Sequence, residues 1–180
     1  MSSFLSDTLI VFASKYGATA QVAQRVAQGL AAPAACYDCG AKAVTFHNRA
    51  QSANASTAPA GYGTIIIGTP LYIGKPLSAV RKYCVQNERE LLSHPLFFFT
   101  CGIGTAQEDE RYLRASLPAS LMQHAALITH LGGDVVPERM HGFDRLAMKE
   151  YVKQHGPAPG LNGQALAGLC AAVNRLQVTE

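Results

Sequence analysis

Ser14-Lys15-Tyr16-Gly17-Ala18-Thr19 has the make-up of a loop that holds an anion. Gly17 permits a tight turn, and Ser14 and Thr19 supply hydroxyl donors. The next residues read as a helix, whose first backbone N–H groups have no intrahelical acceptor and point toward the loop. A terminal monophosphate needs little more than this. The loop lacks the G-x-x-x-x-G-K-[ST] pattern of nucleoside-triphosphate loops and the G-x-G-x-x-G pattern of dinucleotide folds. Taken alone, it reads equally well as an ordinary capped helix after a strand.

Two later stretches have the features of loops around a flat ring. Residues 68–76 contain Thr69, Pro70, Leu71, Tyr72, Ile73 and Gly74 between Gly68 and Pro76. That is longer than the usual connection of about 2–6 residues. Tyr72 offers a flat face on which a ring can stack; the alternative is that Tyr72 packs onto the neighbouring helix. Residues 100–105 contain Cys101, Gly102, Ile103 and Gly104. The glycines allow close backbone approach to a ligand, while Cys101 itself is better read as a small buried residue than as a ring contact. A phosphate loop and two ring loops at one end of one sheet together point to flavin mononucleotide (FMN).

The elements between these loops predict that convergence. Residues 8–13 (TLIVFA), 64–68 (TIIIG) and 96–100 (LFFFT) are short continuous apolar runs, the pattern of strands buried on both faces. Residues 42–47 form a weaker alternating run, a strand for either an interior or an edge position, and residues 127–132 supply a fifth strand. Helical periodicity is read over residues 19–30, 77–86, 108–116, 119–126, 143–152 and 164–176, the last with a stripe of Leu166, Leu169, Cys170, Val173 and Leu176. Residues 48–63 read as a loop or short irregular helix. Alternating strands and helices imply a parallel sheet with right-handed crossovers. The expected fold is a single α/β domain over residues 1–180, a flavodoxin-like three-layer sandwich with a five-stranded parallel sheet of order 2-1-3-4-5. Ligands of such sheets bind outside the carboxyl ends of the strands, near the switch point between strands 1 and 3.

Composition excludes several classes. The net charge of +3 comes with no basic run interleaved with aromatics, so no nucleic-acid partner is expected. No apolar stretch approaches the ~18 residues of a transmembrane span, and residues 1–7 lack a secretory signal, which makes the cytoplasm the expected location. The odd count of five cysteines does not suggest a disulfide framework. Cys36-Tyr37-Asp38-Cys39 is a C-x-x-C, but no second pair of zinc ligands follows and the pair does not open a helix, so it reads as structural. The six histidines are scattered without metal-ligand spacing, and no metal is expected. No nucleophile–base pair stands out either, so no side chain is assigned a catalytic role and the chemistry is left to the flavin.

The stretch TLIVFASKYGATAQVAQRVAQGL resembles the phosphate signature of the flavodoxins. The resemblance runs from Leu9 to Leu176 and implies that Ser14, Tyr16, Gly17 and Thr19 surround the FMN phosphate, with Lys15 and Ala18 contributing backbone. Within that family, IIIGTPLYIGKPLSAVRKYC, LFFFTCGI and a downstream GG-D-V-V-P are most similar to the branch containing the menaquinone-dependent protoporphyrinogen dehydrogenases of haem synthesis. That branch implies oxidation of a porphyrinogen and transfer of electrons to a quinone, with residues 134–144 on the substrate side. Two features depart from it: residues 141–153 carry mixed charge, and residues 107–110 (QEDE) are acidic where a carboxylate-rich porphyrin would call for cations. Three readings stay open: an FMN oxidoreductase or electron carrier, the dehydrogenase itself, and a flavin-free interaction module on the same fold. The expected partner is a redox protein or a small-molecule electron acceptor such as a quinone, and homodimer formation is left open.

Overall fold

The central strands are apolar along their whole length because both of their faces are covered. The computed structural model describes residues 7–48 and 56–178, so part of the stretch read as a loop over 48–63 lies outside the described residues. Strand β1 (Thr8–Phe12) leads into helix α1 (Ala18–Gly29), then β2 (Ala34–Asp38), β3 (Ala43–His47), β4 (Thr64–Tyr72), β5 (Lys75–Pro76), α2 (Ser78–Gln86), α3 (Glu88–Leu91) and β6 (Leu96–Cys101). The remainder is α4 (Ala106–Ser116), α5 (Ala119–His124), β7 (Leu127–His130), β8 (Gly132–Gly133), a 3-10 turn (Pro137–Arg139), α6 (Gly142–His155), β9 (Gly160–Leu161) and α7 (Gly163–Val178). Alternate residues of each inner strand serve opposite layers. Leu9, Val11, Ile65, Ile67 and Phe98 pack with Val80, Cys84, Leu113 and Leu121 from α2, α4 and α5. Ile10, Phe12, Ile66, Phe97 and Phe99 pack with Val22, Val26, Leu169 and Val173 from α1 and α7. Leu176, read from the periodicity as part of that stripe, is instead 40% exposed.

The sheet runs β3-β2-β1-β4-β6-β7. All pairs from β2 to β7 are parallel, which gives the expected 2-1-3-4-5 order for the five parallel strands. The second of these strands is not residues 42–47, however. It is β2, whose Ala34, Ala35 and Cys36 are buried beside β1. Its sequence AACYD has little strand propensity, and it pairs because it falls next to β1. Residues 42–47 turn back as β3, an antiparallel edge strand on β2. Asp38 makes that reversal: its Oδ1 accepts from the N–H groups of Gly40 at 2.9 Å and Ala41 at 3.0 Å, an Asx turn. The Cys36–Cys39 pair therefore lies in and just after a parallel strand.

Gly68 sits at the centre of the sheet, level with Phe99 on β6. A Cβ at Gly68 would fall 2.0 Å from Phe99 Cζ, so the phenyl ring lies over the bare glycine. Gly68→Ala is expected to lower the stability measured by urea unfolding by about 3 kcal/mol, the upper end of the overpacking range. This outweighs the gain of roughly 0.5–1 kcal/mol that removing a strand glycine otherwise gives. Unchanged stability would show that Phe99 can move aside.

Candidate functional site

Helix α1 begins directly after Gly17, which holds a left-handed conformation (φ 92°, ψ −16°). Its start has no side-chain cap and its first turn no acidic residue. Helix α4 is built the other way. There Thr105 Oγ1 accepts from Glu108 N, and Glu108 and Asp109 lie in the first turn, so that helix start is satisfied internally. At α1 the loop organises itself, with Gly17 N donating to Ser14 Oγ at 3.0 Å, and leaves the helix N–H groups to an outside anion.

The second stretch is not a loop. β4 continues through Tyr72 and reverses into β5, pairing Leu71 with Pro76 and Tyr72 with Lys75. Ile73 (φ 51°) and Gly74 (φ 69°) form the two-residue turn, both with positive φ, the pattern of a type I′ hairpin. Sequence reading missed the hairpin because isoleucine is a poor residue for that conformation. Tyr72 does not pack away on a helix. Its ring sits at the cleft, edge-on to Tyr16 with centroids 6.3 Å apart. Burial, foremost, pushes its phenol up to about 12.

In the third stretch, Gly102 has φ 128°, and nothing lies within 4 Å of the position a Cβ would take, so its bare backbone faces open space. Cys101 is buried, in hydrogen-bond contact with the Thr19 side chain, and burial holds its thiol up at about 12. Behind this loop lies a pair that sequence reading missed. Asp109, only 4% exposed, meets His130 Nδ1 at 2.8 Å, and the same nitrogen lies 3.2 Å from Thr100 Oγ1. A Cβ on Gly104 would come within 2.3 Å of Asp109 Oδ1. The carboxylate thus packs directly against the loop and ties α4 to the end of β7.

A fourth wall comes from α6 and the segment before it. Val135, Val136, Met140, Phe143, Asp144, Ala147, Met148 and Tyr151 close one side of a cleft of about 290 Å³. Residues 143, 144, 147, 148 and 151 follow helical spacing, a signal that was readable but indistinguishable from an ordinary core stripe, although Phe143 is 73% exposed. Asp144 Oδ2 accepts from the Tyr16 hydroxyl at 2.7 Å and from the Lys15 ammonium. The Lys15 ammonium also lies over the rings of Tyr16 and Tyr72, 5.3 and 5.1 Å from their centroids.

Of the residues singled out from sequence, Ser14, Lys15, Tyr16, Ala18, Thr19, Pro70, Leu71, Tyr72, Ile73, Cys101, Gly102 and Ile103 line this one cleft. Gly17 shapes the turn beneath it. Three others face elsewhere. Thr69 is fully buried, its hydroxyl donating to Pro70 O at 2.9 Å and accepting from Leu77 N at 3.2 Å. Gly74 abuts the Tyr112 ring, and Gly104 packs on Asp109. These three support the walls of the cleft from behind and do not face it. Among the described residues no group of three or more His, Cys, Asp or Glu side chains is placed to hold a metal.

The sequence matches the family model described as Flavodoxin domain over residues 9–159. No curated protein matches it. Among solved structures, it is similar to an oxidoreductase from Corynebacterium diphtheriae, with 12% identity over 98% of this chain and 99% of that one and a TM-score of 0.55. It is also similar to a flavodoxin from the domain Archaea, with 9% identity over 93% and 98% of the two chains and a TM-score of 0.50. A flavodoxin, WrbA-like protein from Agrobacterium tumefaciens shares 18% identity over 97% and 96%, with a TM-score of 0.49. At these identities the likeness is one of fold.

Ile73 combines a left-handed β-branched backbone with a side chain 89% exposed at the cleft rim. Such strain costs roughly 1–3 kcal/mol. Ile73→Asn is expected to raise the melting temperature by about 2–4 °C per kcal/mol relieved, while weakening FMN binding several-fold through loss of an apolar rim contact. Calorimetry and flavin titration check the two effects; a variant that lost stability would show that the turn is not strained.

Proposed function

This chain belongs to the flavodoxin-domain family, and on that premise we propose that it binds one FMN across the carboxyl ends of β1, β4 and β6 and works as a small FMN-dependent oxidoreductase. The observation that carries the reading is the pairing of an uncapped α1 start with an adjoining, largely apolar cleft. The donor set fits the group. Ser14, Thr19 and the N–H groups after Gly17 suit a phosphate. The Tyr72 hairpin and the bare backbone at Gly102 suit the two sides and the polar edge of a flat ring. When bound, FMN would supply one- and two-electron transfer.

The protein's own residues would bind, orient and shield. The hairpin and the Cys101–Ile103 segment hold the ring laterally. The α6 wall, with Phe143, Met148 and Tyr151, restricts water on one side and presents an apolar surface to a second molecule. The apolar side chains of that wall suit a small, flat, apolar electron acceptor of the quinone class. A porphyrinogen is less well served. Glu108 and Glu110 follow the third loop, where several carboxylates would call for cations.

A visible spectrum of the purified protein, followed by heat release, is expected to show oxidised flavin and FMN near one equivalent. Gly17→Val forces a β-branched residue into the left-handed region at a cost of roughly 1–3 kcal/mol and is expected to weaken FMN binding at least about tenfold with the fold intact by circular dichroism. The photoreduced protein is expected to be reoxidised faster by a water-soluble naphthoquinone than by cytochrome c. A colourless protein that takes up no added FMN would sink the flavin reading and leave the interaction module in its place.

A further inference from the structure

Helix α6 is attached to the domain unlike the other long helices. It has no buried residue, whereas α1, α2 and α4 each bury a face and α7 buries Leu169, Cys170 and Val173. The chain leaves the body at β8 and returns at β9, a two-residue antiparallel ladder. The glycines of that ladder, 132, 133 and 160, have φ of 66°, 120° and 72°, and Gly142 (54°) and Gly156 (83°) bracket the helix. The ladder is packed and paired, so the hinge points are Gly142 and Gly156, where nothing lies within 4 Å of a Cβ position, at the two ends of a helix with no core contact of its own.

Its start meets the loop before α1 through the His141 ring, edge-on to Tyr16 with centroids 6.1 Å apart, and through Asp144. Asp144 reaches the phosphate loop and takes both the Lys15 ammonium and the Tyr16 hydroxyl. The bond to Lys15, foremost, holds the Asp144 carboxyl below the usual carboxylate range, and the same bond raises Lys15. The pair is therefore charged at neutral pH. A carboxylate thus sits on a cation and a hydroxyl that belong to the loop before α1. With α6 in this position the cleft is about 290 Å³, at the floor of the roughly 300–1,000 Å³ usual for small-molecule sites.

We propose that α6 is a hinged cover latched onto the phosphate loop by Asp144, and that a phosphate-bearing ligand releases the latch by taking Lys15 and Tyr16 from the carboxylate. The identity of that ligand as FMN rests on the reading given under Proposed function; the latch does not. A phosphate and the Asp144 carboxylate repel each other and compete for the same two donors, so occupancy of the loop and closure of the cover oppose one another. By linkage, the free energy of closure is subtracted from the affinity of the ligand.

The test uses the full chain without flavin and reads amide hydrogen exchange across residues 145–152. Asp144→Ala is expected to speed exchange there about five- to tenfold, the scale of a lost ion pair with a second charge-assisted bond, and to leave α1 and β4 unchanged. Inorganic phosphate added to the wild type is expected to produce the same local acceleration, beyond that of chloride at matched ionic strength, and to add nothing to Asp144→Ala. In stopped-flow quenching of FMN fluorescence, Asp144→Ala is expected to bind several-fold faster. Identical exchange in the two proteins would overturn the latch. So would a phosphate effect equal to that of chloride, an arm that needs no variant to fold. Exchange as expected with no FMN uptake would keep the latch and overturn the flavin reading instead.

Discussion

The ring of Phe99 lying over the bare backbone of Gly68 governs the geometry of the whole rim. It sets β4 and β6 in a register where Pro70 stands level with Cys101, and β1 joins the same register with Phe12 level with Gly68. Three strand ends therefore come to one rim, and the segments leaving them face each other without long connections to bring them together. The register holds because a one-residue slip would drive Phe97, Phe98 and Phe99 into the wrong layers. With α1 and α7 on one face and α2, α4 and α5 on the other, both layers are filled. The position of the cleft is thus a consequence of core packing, settled before any ligand contributes energy.

Charge at that rim is distributed by helix ends. Helix α4 satisfies its own start with Thr105, Glu108 and the buried Asp109, whereas α1 leaves its start bare. Two helices that start at the same end of the sheet, on opposite faces, thus differ in whether they invite an anion. Asp109 has a further effect: by packing on Gly104 and bonding His130, it makes the third segment part of the rigid body even though that segment is built of glycines. The second segment gains rigidity differently, through a two-residue hairpin ladder. Both ring walls are therefore stiff, which lowers the ordering cost a ligand has to meet, and the one wall without core contacts is α6.

How far each element was legible in the sequence depends on what stabilises it. β1, β4 and β6 are buried on both faces, so their residues had to be apolar and the runs could be read directly. β2 could not, because AACYD is held by its neighbours and not by its own preferences, and residues 42–47 took its place in the reading. The turn before α1 was readable because it is local to Gly17 and Ser14. The hairpin was not, since Ile73 contradicts the turn chemistry that would have signalled it. The Asp109–His130 pair joins residues 21 positions apart and the Asp144–Tyr16 bond residues 128 apart; no spacing rule reaches across such distances.

The cysteines carry the last step. Burial, above all, pushes the thiols of Cys36, Cys39, Cys84 and Cys101 up to about 11, 12, 12 and 12, and raises Cys170 as well. A thiol that far above neutral pH holds its proton and is neither a nucleophile nor a ready exchange partner. The C-x-x-C motif, the most redox-like feature of the sequence, is therefore chemically quiet: Cys36 packs in the sheet, and the N–H of Cys39 donates to Phe12 O at 2.8 Å. Burial thus sets these thiols apart from the rim that Gly68 and Phe99 align, which is where the proposed flavin would sit.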